Sequence, residues 1–244
     1  MTSKKRIIII GATSGIGYEI AQIYRKKGWK LGIAGRRADR LEQMRLEAPE
    51  QFETESIDVT QPDAPEKLLR LVEKVGGMDL FLLSSGIGSQ NRSLDPTIEL
   101  ATVQTNGMGF TRMVTAAFNY FKENGGGHLA VISSIAGTKG LGAAPAYSAT
   151  KRFQNIYIDT LDQLARMEKL PIIFTDIRPG FVQTALLKND KYPMLMSPTY
   201  TAERIVKAIS QKKRRAVIDW KYAILVFFWK LIPDWLWVRL PIHN

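Results

Sequence analysis

The sequence predicts an α/β fold: one doubly wound domain, with a parallel sheet of about seven strands and helices on both faces. Three observations carry this. Short, nearly continuous apolar runs alternate with longer amphipathic stretches along almost the whole 244-residue chain. That is the pattern of strands buried on both faces and joined by crossover helices. A glycine-rich turn, Gly11-Ala-Thr-Ser-Gly-Ile-Gly17, closes the first apolar run. No repeat, low-complexity tract or linker divides the chain, so one domain is the economical reading.

The elements follow in order. The first strand, 6–10, is a run of isoleucines that ends at glycine, as a buried strand does. Further strands are expected at 30–35, 53–58, 80–84, 128–133, 172–177 and 216–219. Helices are expected between them, at 15–27, 37–48, 64–75, 99–123, 146–167 and 201–212, where apolar residues recur at helical spacing. Right-handed crossovers then wind both halves of the sheet. Residues 1–219 form the expected domain, and 220–244 an aromatic, basic extension.

The composition, 45% hydrophobic and 23% charged, suits a chain that buries a substantial core. There is no cysteine, which removes disulfides, thiolate metal sites and a Cys nucleophile. Two histidines, His128 and His243, argue against a His-rich metal site or a Ser-His-Asp triad. The N-terminal residues run straight into the first strand, without the apolar stretch and cleavage site of a signal peptide, so a cytoplasmic location is expected.

The turn at Gly11–Gly17 has a physical purpose. Glycines let the backbone turn sharply and approach a phosphate closely, while Thr13, Ser14, Gly15 and Ile16 lead into a helix whose free N–H groups favour an anion. Beside the expected ribose position, the second strand ends in Gly35-Arg36-Arg37 rather than in an acid. Guanidinium groups at Arg36 and Arg37 pair with a 2′-phosphate, where a carboxylate would repel it. NADP(H) is therefore expected over NAD(H).

Tyr147-Ser-Ala-Thr-Lys151 places a phenol and an ammonium one helical turn apart. A nearby cation favours the phenolate and brings tyrosine toward a useful acid/base range. With the glycine turn, this pair makes the chain resemble the classical short-chain dehydrogenase/reductase family over about residues 5–215. Ser134, thirteen residues before Tyr147, stands where that family has its catalytic serine, and Asn106 in Thr105-Asn106-Gly107 matches its catalytic asparagine. Arg178-Pro179-Gly180-Phe181-Val182-Gln183-Thr184 looks like the nicotinamide-side loop, and Asp58-Val59 like the adenine-contacting pair. The resemblance implies that Ser134 polarises the substrate carbonyl, Tyr147 delivers the proton, and Lys151 holds the nicotinamide ribose and tunes Tyr147. It implies that Asn106 binds a water that relays protons to solvent.

One departure lies after the fourth strand. The family's Asn-Asn-Ala-Gly appears as Leu83-Ser84-Ser85-Gly86. Gly86 keeps room for the adenosine half and Ser85 adjoins it, while the lost asparagines take away hydrogen bonds that brace the sheet; Ser84 is a partial substitute.

The other departure is the C-terminus. Residues 203–244 hold nine Lys/Arg and three acids, +6 of the chain's net +11. The uninterrupted apolar run there, 222–229, is far short of the ~20 residues that span a bilayer. Three readings stay open: packing on the domain or a partner subunit, peripheral contact of 213–244 with an anionic membrane surface such as the inner leaflet, or a cap over the substrate pocket. Leu186, Leu187, Met194, Leu195 and Met196 suggest an apolar, adaptable pocket.

The leading functional expectation is an NADP(H)-dependent oxidoreductase acting on the CH–OH/C=O group of an apolar ketone, aldehyde, lipid-like or steroid-like compound. The competing class is an NADP(H)-binding sensor or scaffold without turnover, against which the intact set of Asn106, Ser134, Tyr147 and Lys151 speaks. Nucleic acid is not an expected partner, because no binding module accompanies the positive charge. The resemblance implies a homodimer or homotetramer through the helices at 99–123 and 146–167.

Overall fold

The computed structural model describes residues 5–187 and 192–242. Seven strands, β1 (Arg6–Ile10), β2 (Lys30–Gly35), β3 (Phe52–Ser56), β4 (Leu80–Leu83), β5 (Gly127–Ile132), β6 (Ile172–Pro179) and β7 (Arg215–Ile218), form one sheet in the order β3-β2-β1-β4-β5-β6-β7. Every pairing in it is parallel.

Alternation along the strands divides the core in two, because successive side chains of a strand point to opposite faces. Ile7, Ile9, Leu31, Ile33, Leu80 and Leu82 pack against α1 (Gly15–Lys26), α2 (Ala38–Glu47) and α7 (Pro198–Ser210). Ile8, Ile10, Phe81, Leu83, Leu129 and Val131 face α3 (Ala64–Val75), α5 (Phe110–Glu123) and α6 (Pro145–Met167). The expected doubly wound parallel sheet with helices on both faces is what the chain forms.

Three boundaries differ from the sequence reading in ways that matter for the site. β3 stops at Ser56, so Asp58 and Val59 belong to the following loop. β6 runs on to Pro179, which carries the chain straight to the site. Over 99–123 the sequence predicts one helix; instead α4 (Pro96–Val103) and α5 are separated by a π-helical turn, Gln104–Gly109. That turn is rich in weak helix formers and packs closely: a Cβ on Gly109 would lie 2.7 Å from Val59 Cγ2.

The C-terminal extension is helical, with α8 (Trp220–Leu231) and α9 (Asp234–Trp237). Asp219 caps α8 by accepting from the Lys221 N–H at 2.9 Å. Tyr222 and Val226 of α8 join the same core cluster as α1 and α7. The basic stretch before it is engaged elsewhere. Arg214 bonds Asp159 at 2.8 Å and Asp162 at 2.5 Å, and Arg215 bonds Asp159 at 2.6 Å, tying β7 to α6. Charge free to meet a surface is thereby reduced at Arg214 and Arg215.

Candidate active site

Strand order reverses at β1, between β2 and β4, and the loops at the C-terminal ends of these strands diverge there. The crevice so formed has a volume of about 570 Å³. Its lining includes the expected Gly11, Thr13, Ser14, Gly15, Ile16, Arg36, Arg37, Asp58, Val59, Ser85, Gly86, Ser134, Tyr147, Lys151, Pro179, Gly180, Val182 and Thr184. Gly17 and Asn106 are close by but do not line it.

The nucleotide half is a cradle that side chains would fill. Gly11 has φ +91°, and a Cβ on it would lie 2.6 Å from Ser85 N. Gly15 has φ +56° and faces Thr184, 3.2 Å from where its Cβ would stand. Gly17 serves packing instead, since a Cβ there would collide with the Gly11 carbonyl. Ser14 is the N-cap of α1, whose first turn carries no acid, so the helix presents positive potential to the crevice. Arg36 and Arg37 are exposed at the end of β2. Arg37 Nη2 donates to Thr13 Oγ1 at 3.0 Å, fixing it over the turn. Burial pushes the Asp58 carboxyl up, but the Thr60 N–H at 3.0 Å, the Thr60 hydroxyl at 2.8 Å and the Arg36 charge outweigh it and hold the group below its ordinary range.

The chemical half is built by α6. Pro145 opens this helix, and Tyr147 and Lys151 stand one turn apart on its crevice face, with Nζ 5.7 Å from the phenol ring centroid. Lys151 is buried, and Nζ donates to the Ile132 carbonyl and to Gln154 Oε1, each at 3.1 Å. Burial pulls its ammonium down to about 8, while Asp176 works in the other direction. Burial also pushes the Tyr147 phenol up, and a hydrogen bond with Ser134 pulls it back. Gly88 lets the loop after β4 pass directly over the phenol: a Cβ there would stand 2.5 Å from Tyr147 Cδ2.

Asn106, fully buried in the π turn, uses its amide as a clamp. Its Oδ1 accepts from the Ile87 N–H at 2.9 Å, and its Nδ2 donates to the Ile87 carbonyl at 2.7 Å and to Thr150 Oγ1 at 3.3 Å. Its own carbonyl accepts from Gln154 Nε2 at 2.9 Å. The expected relay water thus meets an Asn106 whose polar atoms already have protein partners. Gly86 is confined by the same clamp, for a Cβ on it would approach Asn106 Oδ1 to 3.2 Å.

Sequence reasoning missed a buried brace under this site. Asp176 on β6 is fully buried and accepts from Arg178 Nη2 at 2.6 Å, from Asn155 Nδ2 at 3.1 Å and from the Ser133 hydroxyl. It joins β5, β6 and α6 beside Ser134, a bracing role the missing asparagines had left open. The signal was an Asp and an Arg two apart within an apolar strand, where a charge needs a partner.

The apolar end of the crevice draws on the C-terminal helices. Tyr222, 1% exposed, accepts the Phe181 N–H at 3.0 Å and donates to the Pro193 carbonyl at 2.9 Å. Gly180 is tight against its ring, so only glycine fits there. Trp229 of α8 lines the crevice with Leu141, Leu186, Leu187 and Tyr192. Trp237 stacks edge-on to Trp229 at 5.2 Å and donates Nε1–H to the Gly140 carbonyl at 2.7 Å. Three expectations for the apolar pocket are corrected: Met196 is buried in the core, Met194 is exposed, and neither they nor Leu195 line the crevice. The bridge between Val182 and Met196 turns Met196 inward. Residues 188–191, which follow Leu187, and His243 lie outside the described residues.

His128 is a half-buried residue of β5, bonded through Nε2 to Thr175 Oγ1 at 2.8 Å, and burial pulls its imidazole down to about 4. Among the described residues no group of His, Asp and Glu is placed to hold a metal, and no helix is long and apolar enough to cross a membrane.

A parallel sheet with a glycine cradle at its switch point defines a Rossmann-type nucleotide-binding protein, and comparison with known proteins narrows that class. The chain belongs to the short chain dehydrogenase family, an oxidoreductase family whose model matches residues 5–193. It is 30% identical over 251 residues to an uncharacterized oxidoreductase of Mycobacterium tuberculosis, covering 98% of this chain and 95% of that one. It is 27% identical over 259 residues to the Bos taurus dehydrogenase/reductase SDR family member 7B, covering 96% of this chain and 79% of the relative. Among solved structures, a short chain dehydrogenase from Burkholderia cenocepacia in complex with NADP superposes with a TM-score of 0.83 at 18% identity, covering 99% of both chains.

Proposed function

We propose that the protein is an NADP(H)-dependent oxidoreductase that interconverts an apolar carbonyl compound and its alcohol. The observation that carries this is the convergence of Ser134, Tyr147 and Lys151 on one crevice with the glycine cradle and Arg36–Arg37. When bound, NADP(H) supplies or accepts the hydride. Gly11, Thr13, Ser14, Gly15 and Ile16 hold its phosphates, with Gly17 keeping α1 close behind them. Arg36 and Arg37 meet the 2′-phosphate, Asp58, Val59, Ser85 and Gly86 the adenosine half, and Pro179, Gly180, Val182 and Thr184 the nicotinamide side. The NADP-bound Burkholderia structure, similar in fold, supports this choice of cofactor.

The protein's own work is to bind, orient and move one proton. Ser134 donates to the substrate oxygen, and the Tyr147 hydroxyl gives its proton to that oxygen or takes one from the alcohol. Burial pushes the phenol up and the Ser134 hydrogen bond pulls it back; Lys151, with Nζ 5.7 Å from the ring centroid, is the neighbouring cation that favours the phenolate. Asn106 holds Ile87 and with it the loop over the phenol. Leu141, Leu186, Leu187, Tyr192 and Trp229 give the crevice mouth its apolar character.

Two further parts of the reading concern surfaces. The outward side of α8 and α9 exposes Trp220, Ile224, Phe227, Phe228, Leu231 and Trp235, flanked by Lys221, Lys230 and Arg239. That pairing of aromatic side chains and cations suits an anionic membrane surface at the cytoplasmic face, and Trp229 on the same helix connects that surface with the crevice. Phe227→Ser with Phe228→Ser should abolish sedimentation with phosphatidylserine vesicles, and full-length protein that never sediments would end this part of the reading. A homodimer or homotetramer through the exposed Val103, Met108 and Phe153 of the α4, π-turn and α6 face is the assembly we propose, to be read by light scattering.

The functional reading is tested by NADPH and NADH oxidation against carbonyl compounds running from small aldehydes to 3-keto lipids and steroids. Turnover with NADPH on apolar members is expected. NADPH binding without turnover across the panel would favour the sensor or scaffold class instead.

A further inference from the structure

We propose that Gln154 is a positioning residue whose side-chain amide bridges Lys151 and the Asn106 carbonyl, filling the place a relay water would need. The inference rests on the functional reading above, in which Lys151 and Tyr147 work together. Gln154 is 1% exposed and lies one turn beyond Lys151 on α6. Its Oε1 accepts from Lys151 Nζ at 3.1 Å, and its Nε2 donates to the Asn106 carbonyl at 2.9 Å. Both ends of the amide are therefore used, one on α6 and one on the π turn. The Asn106 carbonyl is within reach because it belongs to that widened turn.

This bridge has a chemical consequence. A water between the ammonium and the carbonyl can accept one proton and release another, whereas a carboxamide at neutral pH cannot. Gln154 therefore closes the inner route, and Tyr147 exchanges its proton with solvent through the open crevice. What remains for Gln154 is to fix Nζ, together with the Ile132 carbonyl. The charged groups around Lys151 are few. Asp176 on β6 favours its ammonium and is itself neutralised by Arg178, and Tyr147 shares its helix. β5, the π turn and the loop after β4 present Ile132, Asn106 and Gly86, none of them charged. Gln154 Oε1 and the Ile132 carbonyl are thus the neutral acceptors that hold the ammonium.

The test compares the full-length protein with Gln154→Met, which keeps length without an acceptor, and Gln154→Glu, which replaces the neutral acceptor with a charged one. Competitive acetylation followed by peptide mass spectrometry gives the pH at which Lys151 loses its proton, without any turnover. Gln154→Met should move that pH down and Gln154→Glu up, each by about one pH unit. The alkaline limb of kcat should move in the same two directions, with KM for NADPH changed less. Gln154→Ala, which leaves room for a water, should keep the wild-type limb. Lys151 titrating alike in all three variants, or both Met and Glu moving it the same way, would overturn the inference. A Tyr147→Phe control separates the two levels: if that variant keeps full turnover the functional reading fails, whatever Gln154 does.

Discussion

Removing one oxygen atom from α8 should loosen the site that lies across from it. In Tyr222→Phe the ring remains against Gly180, so packing is unchanged, but three backbone partners lose their bond: the Phe181 N–H at 3.0 Å and the Pro193 and Met194 carbonyls at 2.9 and 3.2 Å. A buried polar group left without a partner costs about 1–3 kcal/mol. Pro193 and Met194 are exposed and can turn to water, so the Phe181 N–H dominates and the expected loss is about 2 kcal/mol. For a domain of this size that lowers the melting temperature by about 4–8 °C. Because Phe181 stands between Gly180 and Val182 in the crevice wall, KM for NADPH should rise severalfold while kcat changes less. Differential scanning calorimetry and steady-state kinetics read both. An unchanged melting temperature with an unchanged KM would refute the claim that α8 holds the nicotinamide-side loop.

Other outcomes follow from the same geometry. Replacing Arg36 and Arg37 by alanine should weaken NADPH binding about ten- to a hundredfold, the worth of one or more charge-assisted hydrogen bonds, and leave NADH nearly unaffected in a fluorescence titration. Gly88→Ala would put a Cβ 2.5 Å from the Tyr147 ring, so the phenol must shift; kcat should fall about a hundredfold, with NADPH affinity retained. For pH, the folded protein holds His128 neutral down to about 4, against 6.5 for a free imidazole, so between these values the unfolded chain binds the extra proton. Stability from this residue is therefore present above pH 6.5 and is lost as pH falls toward 4. His128→Gln should flatten the pH dependence of the melting temperature across that window.

What could be read from the sequence was what is local. The isoleucine run of β1, the turn at Gly11–Gly17 and the Tyr147–Lys151 spacing each express their physics within a few residues, and all three elements stand where the sequence places them. The π turn was not legible, because periodicity over 99–123 is preserved on both sides of it and only the packing of Gly109 on Val59 calls for the extra width. Asp176 with Arg178, Asn155 and Ser133 joins residues up to 43 positions apart, a distance no local pattern spans. Gln154 did leave a trace, three residues after Lys151 and seven after Tyr147 on one helix face, but its partner at Asn106 is 48 residues away. Trp229 and Tyr222 read as one aromatic tail; folding sends Tyr222 inward to Phe181 and leaves Trp229 at the crevice.

The central claim is that Tyr147 moves the proton in a crevice that binds NADP(H) independently of it. Its most direct test is kcat of Tyr147→Phe beside the NADPH dissociation constant of the same protein, using the carbonyl substrate with the highest turnover in the panel. Loss of the hydroxyl should lower kcat by about a hundredfold to ten-thousandfold, the contribution of a positioned general acid, with the dissociation constant unchanged within about a factor of two. A Tyr147→Phe protein that turns over like the wild type would contradict the account.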